Sequence, residues 1–329
     1  MDILIQQLIN GLTKGSVYAV VALGYTMVYG IIQLINFAHG EVVMIGAMVA
    51  FTVIGLLAGS GMPPVLVVAA GVLAAIPVCV AVGYSLERIA YRPLRNAPRL
   101  APLITGIGMS IILQHLALLV WSRNPLAFPQ IIKLETWQVA GEATISNVQL
   151  AIIGLSFAMM GALLLVVYRT RIGVAMRAAA QNPGVAGLMG VDVDRVVAFT
   201  FIMGAALAAV AGVMVGTYYG VAHYQMGSLL GLKAFAAAVL GGIGNLGGAV
   251  AGGLLLGLIE SLGAGYIGDL TDLCTYSTTA AMLGERCADG QDFVLFGSNY
   301  QNVFAFLVLI AVLVFRPSGL LGERVGDRA

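Results

Sequence analysis

Charge is what this sequence has least of. Asp, Glu, Lys and Arg make up 9% of 329 residues, against 60% hydrophobic residues. A soluble chain of ordinary composition carries about 25% charge, and one with so little could not keep a water-facing surface wetted. The mean hydropathy of +0.98 points the same way: the chain reads as a polytopic membrane protein. A net charge of +1 with no basic run offers no footprint for nucleic acid. Lysine is sparse, and Lys14, Lys133 and Lys233 are followed by Gly, Leu and Ala. The Gly-Lys-Ser/Thr of a phosphate-binding loop is therefore missing, and the chain has no visible means of hydrolysing nucleotide. No nucleophile–base set or metal cluster appears, so neither an enzyme nor a bound cofactor is expected. The opening MDILIQQLIN has no Lys or Arg ahead of the apolar stretch, unlike a cleaved signal peptide, and reads as mature protein.

What is present is a series of apolar runs, each near the roughly 20 residues a membrane crossing needs. They cover residues 8–30, 41–59, 65–89, 103–121, 148–168, 196–217 and 303–315. Residues 229–267 are apolar but too long for one span, and are interrupted by the Gly-rich stretch 241–248, GGIGNLGG. They predict two short spans or a re-entrant hairpin. The expected fold is all-α, a single transmembrane domain over 1–329 with about eight transmembrane helices, the Gly-rich hairpin included.

Basic residues set the sides. Most of the sixteen lie in three segments: Arg88, Arg92, Arg95 and Arg99; Arg169, Arg171, Arg177 and Arg195; and Arg316, Arg324 and Arg328. Alternating spans place all three on one face, which is then cytoplasmic. The loops 122–147 and 268–302 fall on the periplasmic side, the second with Asp269, Asp272, Glu285, Asp289 and Asp292 against a single Arg286. Residues 229–267 must then enter and return. The N-terminus is expected in the periplasm and the C-terminus in the cytoplasm. Cys274 and Cys287 both lie in the second external loop, where disulfides persist, and a bridge between them is expected.

Three motifs are candidates for function. The first is INFAHGE, residues 35–41, whose Asn36, His39 and Glu41 are polar between two spans. Ionisable residues at such places face a cavity or a partner, and a broken helix lining a pathway frees backbone groups for a polar solute. The alternative is a short cytoplasmic turn with Asn36 as a cap and Glu41 in the next helix's first turn. The second is GGIGNLGGAVAGGLLLG, residues 241–257, where Gly244, Gly248 and Gly252, and also Gly253 and Gly257, recur every four residues. This spacing lets helices approach closely in lipid; a re-entrant end at Gly244 and Asn245 lining the pathway is the sharper reading. Lys233, Glu260, His115 and His223 are read as satisfied locally, and Lys14 as able to snorkel outward.

The third is the polar connection 169–195, RTRIGVAMRAAAQNPGVAGLMGVDVDR. Residues 177–181 form helix readily, Pro183 stops or kinks it, and Gly184, Gly187 and Gly190 keep the following chain small enough to enter a groove. Asp192 and Asp194 can begin the next helix. A lipid-surface helix is the alternative, but the apolar face (Val174, Met176) is weak; docking to a soluble partner is favoured.

With these segments in place, the chain resembles the LivH-type permease subunits of high-affinity branched-chain amino acid ABC transporters. Residues 11–41 resemble that family's N-terminal signature, 173–192 its ATPase-contact loop, 233–253 its Gly-rich signature, and 315–323, FRPSGLLGE, its usual ending. The resemblance implies the permease fold and a pathway for leucine, isoleucine and valine through the bacterial inner membrane. It implies a second related permease subunit, two cytoplasmic ATPase subunits that bind the ATP, and a periplasmic solute-binding protein. Arg177, Ala179, Gln181, Asn182 and Gly187 would form the ATPase coupling segment, and Asn36, His39, Glu41, Gly244 and Asn245 the substrate pathway. Two alternatives stay open: the same architecture carrying urea, short amides or another small polar solute, and a proton-coupled secondary transporter using His39 and Glu41.

Overall fold

The computed structural model describes residues 2–95, 97–98, 100–267, 301–316 and 318–322. In chain order the long apolar helices are α1 (Asp2–Ile32), α2 (His39–Leu57), α3 (Pro64–Ser85), α4 (Leu100–Val120) and α5 (Asn147–Arg169). Two short helices follow, α6 (Arg171–Gln181) and α7 (Pro183–Leu188), then the long α8 (Val193–Tyr219). The chain continues through α9 (Met226–Gly241) and α10 (Leu246–Leu262), and α11 (Gln301–Phe315) precedes the tail. The end of α3 unwinds into a π-helical turn, Leu86–Tyr91, and a 3-10 turn, Arg92–Leu94. Another π turn, Gly263–Ile267, follows α10.

Among the described residues, seven helices are long and apolar enough to cross a membrane, and α9 and α11 are shorter apolar helices. The chain is a multi-pass, essentially helical membrane protein. Its helical bundle also carries two small antiparallel strand pairs that apolar periodicity had not marked: β1 (Leu126–Ala127) with β4 (Val221–Ala222), and β2 (Thr136–Ala140) with β3 (Ala143–Ser146). They are too short to carry a hydrophobic period and lie in connections between helices.

Helix starts follow local chemistry. Ser146 caps α5 through Gln149 N at 3.1 Å, and the Gln149 side chain returns the bond to Ser146 N at 2.9 Å. Thr170, Asn182, Asp192 and Asn245 cap α6, α7, α8 and α10 in the same way. Each satisfies a first-turn N–H that has no partner within its helix.

The core sits around α1 and α8. Helix α1 runs along α10 and is flanked by α8, α9 and α5; α2 lies between α3 and α8 and also touches α9 and α4. By contrast α3, α4 and α5 are largely exposed along their apolar lengths, as helices facing lipid are. The Gly-rich helix α10 presents small residues to two neighbours. A Cβ on Gly253 would come within 2.5 Å of Ala19 Cα, and one on Gly257 would overlap the Gly15 backbone. On another face, Cβ atoms on Gly248 and Gly252 would overlap the carbonyls of Gly241 and Ala237. Close packing within one subunit therefore accounts for these four glycines.

Contacts sort the polar segments into two ends. Thr144 N donates to Gln6 Oε1 at 2.8 Å, and Gln149 Nε2 to Asn10 Oδ1 at 3.0 Å. The start of α1 thus shares an end with the segment 122–147, and β1–β4 adds the α8–α9 connection. At the opposite end the tail docks on the α9–α10 turn: Leu320 N donates to Leu240 O at 2.9 Å and Leu321 N to Gly241 O at 3.0 Å. The α9–α10 segment enters from one end, turns at residues 242–245 against the tail, and returns along α1. Cys274 and Cys287, and nearly all of 268–302, lie outside the described residues.

Candidate functional site

The end of α1 and the start of α2 build the most unusual polar feature. Gln33, after the last turn of α1, adopts a left-handed conformation (φ 52), rare for a residue with a side chain. The chain then runs without helix through residues 33–36 and turns back into the bundle. The return is measured by neighbours: the His39 ring stands edge-on to Tyr25, centroids 4.9 Å apart, and fills the space where Gly24 would carry a Cβ. Gly24 lies about two turns inside the end of α1. The motif at 35–41 is therefore a helix break inside the bundle, and the surface-turn alternative does not describe it.

Three polar side chains of the break are buried. Asn36 Oδ1 accepts from Ala38 N at 3.1 Å and from the Tyr91 hydroxyl at 3.0 Å, which ties the break to the unwound end of α3. The His39 ring lies against α1, with Nε2 beside Gly24. Glu41 is 0% exposed; its Oε1 accepts from Ser110 Oγ at 3.1 Å and Gln114 Nε2 at 2.8 Å, both on α4. Gln114 Nε2 also lies 3.0 Å from Ser228 Oγ on α9. Ser110, Gln114, Ser228 and Tyr91 went unremarked in the sequence. The signal for the first two was a polar pair four residues apart in an otherwise apolar run, one helical face.

The remaining candidates lie elsewhere. Gly244 and Asn245 line a cavity of about 850 Å³ at the tail end, together with Thr26, Gln33, Tyr168 and Arg177. Gly244 has a left-handed φ of 96 and open space around it, and Asn245 clamps the tail, donating to Leu321 O at 2.9 Å. The structure thus brings Asn36, His39 and Glu41 together in the bundle and groups Gly244 and Asn245 with Arg177.

The connection 169–195 is two helices hinged at Asn182. Within α6, Arg177 donates to Val167 O and its guanidinium lies 5.3 Å from the Tyr168 ring centre, while Ala179 is fully buried. These two fix α6 to the end of α5. Gln181, Asn182 and Gly187 are exposed. Around Gly187 stand exposed apolar side chains: Leu188 is 88% and Met189 81% exposed. The start of α8 is held by Asp194, which accepts from Arg92 and Arg95; Arg95 also pairs with Glu87. Two of the arginine-bearing segments are thereby joined, the end of α3 and the start of α8.

A second buried charge group joins α1, α9 and α10. Lys233 Nζ donates to Glu260 Oε2 at 3.0 Å and to the Tyr18 hydroxyl at 3.2 Å, and Tyr18 donates to Glu260 at 3.0 Å. Lys14 lies 3.6 Å from Glu260 Oε1. Lys233 and Glu260 satisfy one another, as expected; Lys14 takes part in the same group. Among the described residues no set of three or more His, Cys, Asp or Glu could hold a metal.

Comparison with known proteins bears on these features together. A family model described as the permease component of branched-chain amino acid transport systems matches residues 7–313. The chain is 46% identical to the high-affinity branched-chain amino acid transport system permease protein BraD of Pseudomonas aeruginosa, over 97% of this chain and 96% of that one. It is 43% identical to the permease protein LivH of Escherichia coli K12, again over 97% and 96%. A probable LivH of Methanocaldococcus jannaschii is 27% identical over 92% and 87%. No solved structure matches.

Proposed function

Since this chain belongs to the family of branched-chain amino acid transport permease components, we propose that it forms the inner-membrane translocation pathway for leucine, isoleucine and valine. The observation that carries the reading beyond family membership is the pair α6–α7, an exposed apolar tip on a polar connection that leads directly into α8, whose first-turn Asp194 is ion-paired to the end of α3. This is what a subunit moved by another protein's ATP needs: a docking element coupled rigidly to its helices. The partners are a second, related permease subunit, two cytoplasmic ATPase subunits docking at α6–α7, and a periplasmic solute-binding protein at the opposite end.

The two-ended arrangement supports an N-terminus in the periplasm and a C-terminus in the cytoplasm. Termini on opposite faces require an odd number of crossings. The seven long helices together with α9, which runs from the β1–β4 end to the turn at 242–245, and α11, which runs back to the tail, make nine.

Labelled leucine uptake in cells lacking this chain, with and without its return, tests the substrate. Restored uptake that unlabelled valine and isoleucine block, and urea does not, is the expected result. Absence of any leucine effect in otherwise competent cells would sink the branched-chain reading and move the substrate to another small polar solute.

If 268–302 is periplasmic, as the proposed orientation requires, a Cys274–Cys287 bridge is expected there. Alkylation of the denatured protein should modify Cys79 alone before reduction and all three cysteines of the chain after it. Modification of all three without reductant would refute the bridge. Cys79 is buried and should resist alkylation while the protein is folded.

A further inference from the structure

Glu41 is a carboxylate with half of its acceptor capacity committed. Oε1 takes two hydrogen bonds from α4, whereas Oε2 is buried with no hydrogen-bond partner among the described residues. It faces α9 at Gly227, where a Cβ would come to 2.5 Å from it. The nearby Ser228 hydroxyl is shared: it reaches Gln225 O at 3.2 Å as well as the Glu41 carboxylate, and its oxygen accepts from Gln114. No cationic side chain is paired with Glu41 among the described ion pairs, and Lys14 and Lys233 both pair with Glu260.

A buried carboxylate oxygen left without a donor is costly unless something else supplies one. The surroundings limit what that donor is. The α2–α9 contact here is Gly40 against Gly227 and Gly231, backbone to backbone, with no side chain to displace. The way out passes Gln114 and Ser228, the latter exposed. A primary ammonium, a compact donor of three hydrogen bonds, asks for less room at such a place than a planar guanidinium does.

We propose that Glu41 Oε2 receives the α-ammonium group of the amino acid in transit, with Ser110 and Gln114 holding the carboxylate in place. Glu41 thereby selects zwitterionic amino acids over neutral amides and over carboxylates that lack the amino group. This rests on the proposed reading of the chain as an amino acid permease, and names the group of the substrate that the break at 33–41 recognises. The helix break has a purpose in this arrangement: it starts α2 inside the bundle, so that its first-turn Glu41 lies beside the pathway.

Two substitutions separate charge from packing. Glu41→Gln keeps the side-chain volume and the Oε1 acceptor but puts an amide donor at Oε2. Glu41→Asp keeps the charge and leaves a gap of one methylene. Packing alone ranks Gln above Asp; ammonium binding ranks Asp above Gln. In cells whose only copy is the variant, at equal membrane levels, leucine uptake should fall roughly tenfold or more for Glu41→Gln, as for loss of a charge-assisted hydrogen bond. Glu41→Asp should keep several times more uptake than Glu41→Gln. Uptake for Glu41→Gln equal to or above that of Glu41→Asp overturns the proposal. So does wild-type uptake that collapses with the proton gradient while ATP is maintained, which would make Glu41 a proton carrier. Failure of the wild-type chain to restore leucine uptake at all would instead overturn the substrate reading.

Discussion

Gly257→Leu should remove the protein from the membrane. Helices α1 and α10 meet through glycine on both sides: Gly11 and Gly15 on one, Gly253 and Gly257 on the other. A Cβ at Gly257 would overlap the N and Cα of Gly15 and stand 2.5 Å from Gly11 O. These are backbone atoms of a buried helix, so no rotamer change relieves the clash, and the two helices must separate along their length. Ordinary overpacking of a core costs about 1–3 kcal/mol, and a backbone clash lies at or beyond the top of that range. Net stabilities are only about 5–15 kcal/mol, so one such change takes a large part of the total. The expected result is loss of most of the folded chain from membranes, and a lowered thermal midpoint for the fraction extracted in detergent. Gly154→Leu is the matched control. Gly154 lies on the outer helix α5, is exposed, and has nothing within 4 Å of an added Cβ. There the same substitution exchanges the worst non-proline helix former for a good one, and stability should hold or rise slightly. Equal tolerance at both sites would refute the α1–α10 packing.

That contact shows what the sequence carried and what it hid. Gly253 and Gly257 stood out by their spacing inside an apolar run, and packing was the reading the structure supports. Their partners Gly11 and Gly15 have the same spacing but sit among Thr13, Lys14 and Asn10, where the polar neighbours draw the eye to charge. Which small-residue stripe meets which is a tertiary fact that no one-dimensional pattern contains. The same holds for charge. The arginines of 88–99 and of 169–195 were legible as sharing one face, because the rule depends only on alternation of spans. Their pairing was not: Arg92 and Arg95 reach Asp194 across about a hundred residues of chain. The polar break at 35–41 was visible as three polar side chains between two spans, yet its depth was undecided. Depth follows from Gly24, whose missing side chain makes room for His39, and nothing local to 35–41 encodes that.

The helices within 169–195 were legible for a different reason. Polar connections between spans follow soluble-protein rules, so caps, Pro and Gly place the helices directly: Asn182 before Pro183 starts α7, and Asp192 starts α8. The sequence could not divide its residues by face. Arg177 and Ala179 turn to the chain's own core, and the outward set is Gln181, Asn182 and Gly187 with Val185, Leu188 and Met189. Exposed apolar side chains of this size at the tip of a six-residue helix do not stabilise the subunit. Under the proposed docking they are the surface an ATPase subunit would cover.

Gly187→Trp tests that surface with little risk to the fold. Gly187 is exposed, its φ is ordinary, and an added Cβ meets nothing within 4 Å. An indole there has room in this chain, so membrane level and thermal midpoint should match the wild type. If α7 enters a groove of an ATPase subunit, the same indole has no room in the complex. Leucine uptake should then fall by more than about tenfold, and ATPase subunits should no longer co-purify. Tenfold corresponds to about 1.4 kcal/mol of lost docking energy, a modest demand on a buried clash at an interface. Gly187→Ala should keep both uptake and co-purification, because a methyl adds little volume. Gly187→Trp with normal uptake would remove α7 from the coupling surface, and with it the explanation for the exposed Leu188 and Met189.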